Sequence, residues 1–270
     1  SAESFINASS SSDNGGSIQI LGDDVQLSGS TLANASGAHG GGEVLIGGDY
    51  QGNSLGIKNA SMTTVGVEVA INADAIDSGD GGKIIVWSDG TTKMHGQVSA
   101  RGGDNAGDGG FIEVSGKNHL YIDRLVGQVD ISAANGTGGT LLLDPNDITI
   151  TPGSPTSADT LSDDDIETFL ETVGSLTIQS STDTTGNGDI TFEDGTVITW
   201  GTANELIVLA DRDIFVGEGS AGATIASSDD ANITLDAGGI ITVDGQITTV
   251  GGSIILRADG AFAMTDGSSV

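Results

Sequence analysis

Gly81-Gly82-Lys83-Ile84-Ile85-Val86, Gly109-Gly110-Phe111-Ile112-Glu113-Val114 and Gly138-Gly139-Thr140-Leu141-Leu142-Leu143 open three copies of one unit, 28 and 29 residues apart, within the stretch Gly81 to Pro145. A fixed period of this length is the signature of a solenoid. The copies also rhyme internally, Gly96-Gln97-Val98-Ser99-Ala100 matching Gly127-Gln128-Val129-Asp130-Ile131. Each unit therefore reads as several short strands joined by Gly, Asn and Asp turns.

Working outward, the same opening recurs at Gly15-Gly16, Gly41-Gly42, Gly238-Gly239 and Gly251-Gly252. Counted from the second glycine, the second and fourth residues are apolar every time: Ile18 and Ile20, Val44 and Ile46, Ile84 and Val86, Ile112 and Val114, Leu141 and Leu143, Ile241 and Val243, Ile254 and Leu256. Side chains alternate faces along a strand, so the two positions share one face, and the residue between them, such as Gln19, Glu113 or Thr242, is expected to vary freely on the outside. Seven stacked copies of one inward face predict an all-β fold with a β-solenoid core. About ten coils at roughly 4.8 Å each would make a rod on the order of 50 Å long.

Composition agrees. There are 44 glycines, 3 prolines and 4% aromatic residues in 270, which argues against helical bundles, and the glycines lack the every-third spacing of collagen. The net charge of −30, from 38 acidic and 8 basic side chains, repels nucleic acid and anionic lipid, so neither is expected as a partner. No apolar run reaches the ~20 residues of a membrane span. Cysteine is absent, which removes thiol chemistry. The start Ser1-Ala2-Glu3-Ser4 has neither an initiator Met nor a signal peptide, so a processed chain or a piece of a longer one is expected.

The organisation expected is N-terminal coils over 1–150, a Pro- and Gly-containing linker with an amphipathic helix over 151–175, and C-terminal coils over 176–270, as one continuous solenoid. The 40-residue gap from Gly41 to Gly81 calls for an extra strand or loop, for which Val65 to Ile71 alternates well enough. Ser162 with Asp165 approximates a capping box, three aspartates suit the positive end of a helix dipole, and Ile166, Phe169, Leu170 and Val173 form one helical face.

The run Gly79 to Gly90, followed by Gly96 to Gly103, by Gly107 to Gly116 and by Leu141-Leu142-Leu143-Asp144-Pro145, resembles the repeat region of filamentous-haemagglutinin-like exoproteins secreted by the two-partner route. The resemblance covers roughly residues 75 to 260. It implies a right-handed parallel β-helix on the bacterial cell surface or in the medium, acting in attachment, aggregation or biofilm, with a host or neighbouring cell surface or a polysaccharide as partner. End-to-end polymerisation by strand augmentation into an extracellular filament is the alternative. A carbohydrate-active β-helix enzyme is the third reading, and with 6 Phe, 2 Tyr and 2 Trp there is little surface to stack on sugar rings, so no catalytic residue is assigned.

Candidate sites are few. Asp77 and Asp80, and Asp104 and Asp108, lie in tight turns of a kind that a structural Ca²⁺ favours; Asp is equally an ordinary turn residue. No other cofactor is expected. His39, His95 and His119 lack metal-ligand spacing and read as solvated, unless strand register brings His95 and His119 to one face. Lys83, Lys93, Arg101, Lys117 and Arg124 read as a local surface feature. Triplets such as Asn7-Ala8-Ser9 and Asn34-Ala35-Ser36 permit glycosylation, and in a chain so rich in Asn and Ser they also arise by chance.

Overall fold

In the computed structural model, which describes residues 3–154, 157–182, 186–219, 221–265 and 269–270, the pairs Gly15-Gly16, Gly41-Gly42, Gly81-Gly82, Gly109-Gly110 and Gly138-Gly139 each turn a corner into a strand. The chain forms two compact units, dividing between Leu143 and Asp144. Strands within each unit pair in parallel, which is the arrangement of a β-helix. Pro155 of the expected linker lies outside the described residues.

In the first unit each coil contributes a strand to three faces. One face stacks Ser4–Asn7, Thr31–Asn34, Ala70–Asn72, Gln97–Ser99 and Val129–Asp130. The second stacks Ser17–Ile20, Glu43–Ile46, Lys83–Ser88, Phe111–Gly116 and Thr140–Leu143, and the third Asp24–Leu27, Met62–Val65, Thr91–Met94 and His119–Ile122. On the second face Ile18, Val44, Ile84, Ile112 and Leu141 are in register, one above the other. The four residues from Val44 to Leu141 are fully buried, and so are Ile46, Val86, Val114 and Leu143; Ile20, on the end strand, is half-buried. The coils pack so closely at the corner that a Cβ on Gly82 would lie 2.1 Å from the carbonyl oxygen of Gly42, and one on Gly110 2.1 Å from that of Gly82. Only glycine fits this column.

The expected free outer position fails on this face. Glu113 is completely buried, because the extra residues between Gly41 and Gly81 form a loop that folds back over the sheet. That insertion lies between Ile46 and Met62; residues 65–71 instead finish one ordinary strand and begin the next. Leu45, Ile85 and Trp87 form an apolar cluster on the outer side, with Ile57 of the loop and Phe111 packed against it. Gln51 donates its backbone N–H to the Glu113 carboxylate at 3.2 Å. Outward-pointing residues thus acquire a second, smaller core.

In the second unit Leu176, Leu206, Ile233 and Ile254 form one ladder and Ile178, Val208, Leu235 and Leu256 another. Ile254 and Leu256 are half-buried on the last strand of that sheet. Ile241 and Val243 are buried but belong to a different face, in register with Ile214 and Val216 before them and Phe262 and Met264 after. Gly238-Gly239 is therefore an internal corner, and the inward face is built from two kinds of strand. The third face consists of Val197–Trp200, Ala223–Ser227 and Gly245–Thr248.

The α-helix Asp163–Thr172 begins at Ser162, which makes no side-chain capping bond, so the expected capping box does not form. Asp163 itself receives the N–H of Asp164 at 2.8 Å. Ile166, Phe169 and Leu170 are buried, facing the strands Ser175–Ser180 and Val197–Trp200. Opposite the strand Val197–Trp200, Asp163 accepts the N–H of Val197 at 3.0 Å, Glu167 that of Thr199 at 2.8 Å and Glu171 that of Gly201 at 2.5 Å. Four helical residues rise about 6 Å and two strand residues about 6.6 Å, so a carboxylate at every fourth helix position matches every second strand N–H. The helix stands in for the neighbouring strand that this sheet edge would otherwise lack.

Candidate functional site

On the first unit a groove of about 780 Å³ runs along the ends of the strands of the first face, lined by Asn34, Ser36, His39, Asn72, Asp74, Ile76, Asp77 and Arg101 among others. Its wall follows from the coil repeat. Asn7, Asn34, Asn72, Ser99 and Asp130 occupy one register position on successive strands. On three of the five strands the side chain turns back on its own backbone: Asn7 Oδ1 accepts from Ser9 N and Asn34 Oδ1 from Ser36 N, both at 3.0 Å, and Asp130 Oδ1 from Ser132 N at 3.1 Å. These are Asx turns, in which Asn and Asp replace a backbone acceptor. The bond uses only the oxygen of each Asn, leaving the amide Nδ2 of Asn34 without a hydrogen bond among the described residues; the whole side-chain amide of Asn72 is likewise unbonded there.

Asp74 forms the groove's charged floor. It is buried, and its Oδ1 accepts from Ser99 Oγ at 2.5 Å and from Arg101 N at 2.8 Å, while Oδ2 accepts from Arg101 Nη2 at 3.0 Å. Its own N–H donates to Ser36 Oγ at 3.1 Å. A buried carboxylate persists when paired and hydrogen-bonded in this way. Asp74, beside the Arg101 guanidinium, holds it more firmly protonated than usual, and Asp130 and Asp104 add to this. His39 closes one side, with Nδ1 3.1 Å from Ser78 Oγ.

The turns that carry these aspartates are hydrogen-bonded to the coil that follows. Asp80 Oδ1 accepts the N–H of Asp108, and Asp108 Oδ1 that of Thr137, both at 2.8 Å. The hydrogen bonds from Thr137 hold the Asp108 carboxyl below its ordinary range. Asp77 accepts from Asn105 Nδ2 at 2.7 Å, and the Asp104 carbonyl accepts from Asn135 Nδ2 at 2.7 Å. The second unit repeats the device: Asp147 takes the N–H of Asp189 at 2.9 Å and Asp213 that of Ile240 at 2.8 Å. Much of the chain's acidity thus serves as acceptors for turn N–H groups that a parallel ladder leaves open. Among the described residues no three His, Asp or Glu side chains converge as a metal centre.

The remaining candidates are dispersed. His95 pairs with Asp123 at 2.9 Å, whereas His119 lies at the register of Thr91, so the two histidines are not brought together. Lys83 bridges Glu43 and Asp49 at 3.3 and 3.2 Å, and Lys93 lies over the Tyr121 ring at 5.6 Å. The only trace of the groove in the sequence is a triplet that carries two meanings. Asn7-Ala8-Ser9 and Asn34-Ala35-Ser36 resemble glycosylation triplets, but with Asn72-Ala73-Asp74 and Asp130-Ile131-Ser132 an Asx-led triplet recurs on four of the five strands of this face, as structural turns do.

No protein-family model matches this chain, and no curated protein matches it either.

Proposed function

We propose that the protein is an extracellular structural and adhesive module, in which the stacked coils form a scaffold and ligands are met on its polar outer turns. The reading rests on one observation above the others. Side chains in each unit are spent on repeating, in-register contacts between coils, as in the fully buried column Val44, Ile84, Ile112 and Leu141 and the turn pair Asp80 and Asp108. Repetition of this kind builds a surface, with stability shared between neighbouring coils. The net charge of −30 suits a medium in which salt screens self-repulsion. The sequence resemblance to filamentous-haemagglutinin-like exoproteins points to a bacterial surface. Antibodies raised against the purified chain should label intact cells of the producing organism as strongly as permeabilised ones; labelling only after permeabilisation would overturn the reading.

A second reading, end-to-end assembly by strand augmentation, is favoured by the edge strands. Phe5 is 61% exposed on Ser4–Asn7 and Phe262 46% exposed on Phe262–Met264, and each of these strands has a strand partner on one side only among the described residues. Open edges of this type template further pairing. Electron microscopy at low and raised concentration separates the two: uniform fibres at the higher concentration support assembly, and particles of constant size support the module alone.

A further inference from the structure

We propose that the groove between Asn34, Asn72, Asp74 and Arg101 binds a neutral, hydroxyl-rich chain, a glycan segment laid along the stacking direction of the coils. This rests on the adhesive reading only for the claim that such a ligand is encountered. The chemistry of the groove selects the class. The side chains of Asn34 and Asn72 stand at one register position on adjacent strands, so their amide donors repeat at roughly 4.8 Å. Unbonded amides at a regular spacing recognise hydroxyl oxygens, and a ligand lacking those hydroxyls would leave the donors dehydrated and unpaired. Ile76, 51% exposed on the groove's lining, offers an apolar patch to the C–H face of a sugar ring. A few fixed polar groups beside an apolar surface are the usual composition of a small-ligand site.

Electrostatics exclude the anionic alternatives. Arg101 is committed to Asp74 at 3.0 Å and lies 3.9 Å from Asp130, so its charge is already matched. Asp77 adds a negative charge to the groove, and the field of the whole chain repels polyanions. A uronic acid or sulfated polymer would meet no uncommitted cation there.

The test uses the full chain and isothermal titration with four probes: hexamers of β-1,4-glucan, α-1,4-glucan and β-1,4-mannan, and a polygalacturonate hexamer as the charged control. At least one neutral hexamer should bind with Kd of ~1 mM or tighter, and the polygalacturonate more weakly. Asn34→Asp keeps the oxygen that accepts from Ser36 N and removes the amide donors; combined with Asn72→Asp it should weaken binding about tenfold or more, with an unchanged circular-dichroism spectrum. Should the double variant fail to fold, Asn34→Asp alone is read in the same way. Lys117→Ala, outside the groove, should bind as the parent does. The proposal is overturned if no neutral hexamer binds, if the charged hexamer binds more tightly, or if the Asn variants bind as well as the parent. Each of those results leaves the scaffold reading intact, since cell labelling tests that separately.

Discussion

Glu167 accepts both the backbone N–H and the hydroxyl of Thr199, each at 2.8 Å, and so takes the place of a strand carbonyl at the edge of a β-sheet. Asp163 and Glu171 do the same four residues to either side, for Val197 and Gly201. A charge-assisted bond of this kind contributes about 1.5–3 kcal/mol when the alternative is a lost partner, and less where water can replace it. Glu167→Ala should therefore lower unfolding free energy by about 1 kcal/mol, and Glu167→Gln, which keeps an acceptor, by less. Removing all three carboxylates uncovers the edge Val197–Trp200, and concentration-dependent association in sedimentation velocity is the expected result. A triple variant that stays monomeric and equally stable would show that the carboxylates do not guard this edge.

Glu113 carries the sharpest departure from the alternating pattern. Its position in the strand points outward, yet the folded-back loop leaves it 0% exposed. Glu113→Lys places a cation where the carboxylate received the Gln51 N–H, and should cost about 3–5 kcal/mol in urea denaturation. Protease cleavage within residues 50–58 should accelerate with it. Gln19, at the same register on the end strand, is exposed, and Gln19→Lys should change stability by less than about 0.5 kcal/mol.

The corner glycines differ sharply in what they tolerate. A Cβ at Gly110 meets backbone 2.1 Å away, whereas one at Gly22 has nothing nearer than 3.5 Å. Gly110→Ala is expected to cost more than about 4 kcal/mol, because backbone cannot yield as a side-chain tip can. Gly22→Ala should be neutral, or stabilise by about 0.5 kcal/mol through a less flexible unfolded chain. Thermal melts of the two variants side by side decide the matter.

In the central ladder, Ile112→Ala removes buried methyl groups between Ile84 and Leu141. Coils above and below limit collapse of the cavity, so a loss of about 3 kcal/mol is expected, read as a lower denaturation midpoint at constant slope.

The loop that covers Glu113 is tied down by an ion pair with a defined pH window. Burial alone would raise the Asp49 carboxyl, but the Ser54 hydroxyl, the Tyr50 N–H and Lys83 bring it below its ordinary 3.8. Lys83 is raised above 10.5: burial would lower it, and Asp49 and Glu43 outweigh that. A depressed acid contributes stability above its unfolded value and loses it as pH falls through the folded one. A raised base contributes below its unfolded value and loses it as pH climbs through the folded one. Proteolysis of the loop should be flat between about pH 4 and 10.5 and rise outside that range. Lys83→Met should abolish the alkaline rise; an alkaline rise that survived the substitution would assign it to another group.

How much of this was legible beforehand varies with the kind of interaction. The amino-acid sequence by itself determined the parallel β-helix, because apolar pairs two residues apart after Gly-Gly can be buried repeatedly only when strands stack in register. It also marked the helix, since Ile166, Phe169 and Leu170 share one face. It misplaced Ile241 and Val243, because Gly-Gly occurs at two kinds of corner and the local pattern is the same at both. What only the tertiary structure decided are the pairings between residues distant in sequence: Gln51 with Glu113, Glu167 with Thr199, and the row from Asn7 to Asp130. Burial of an outward side chain depends on an insertion returning across the sheet, and a row of amides exists only once register places one coil on the next. Local periodicity carries neither piece of information, for each depends on where a second segment comes to rest.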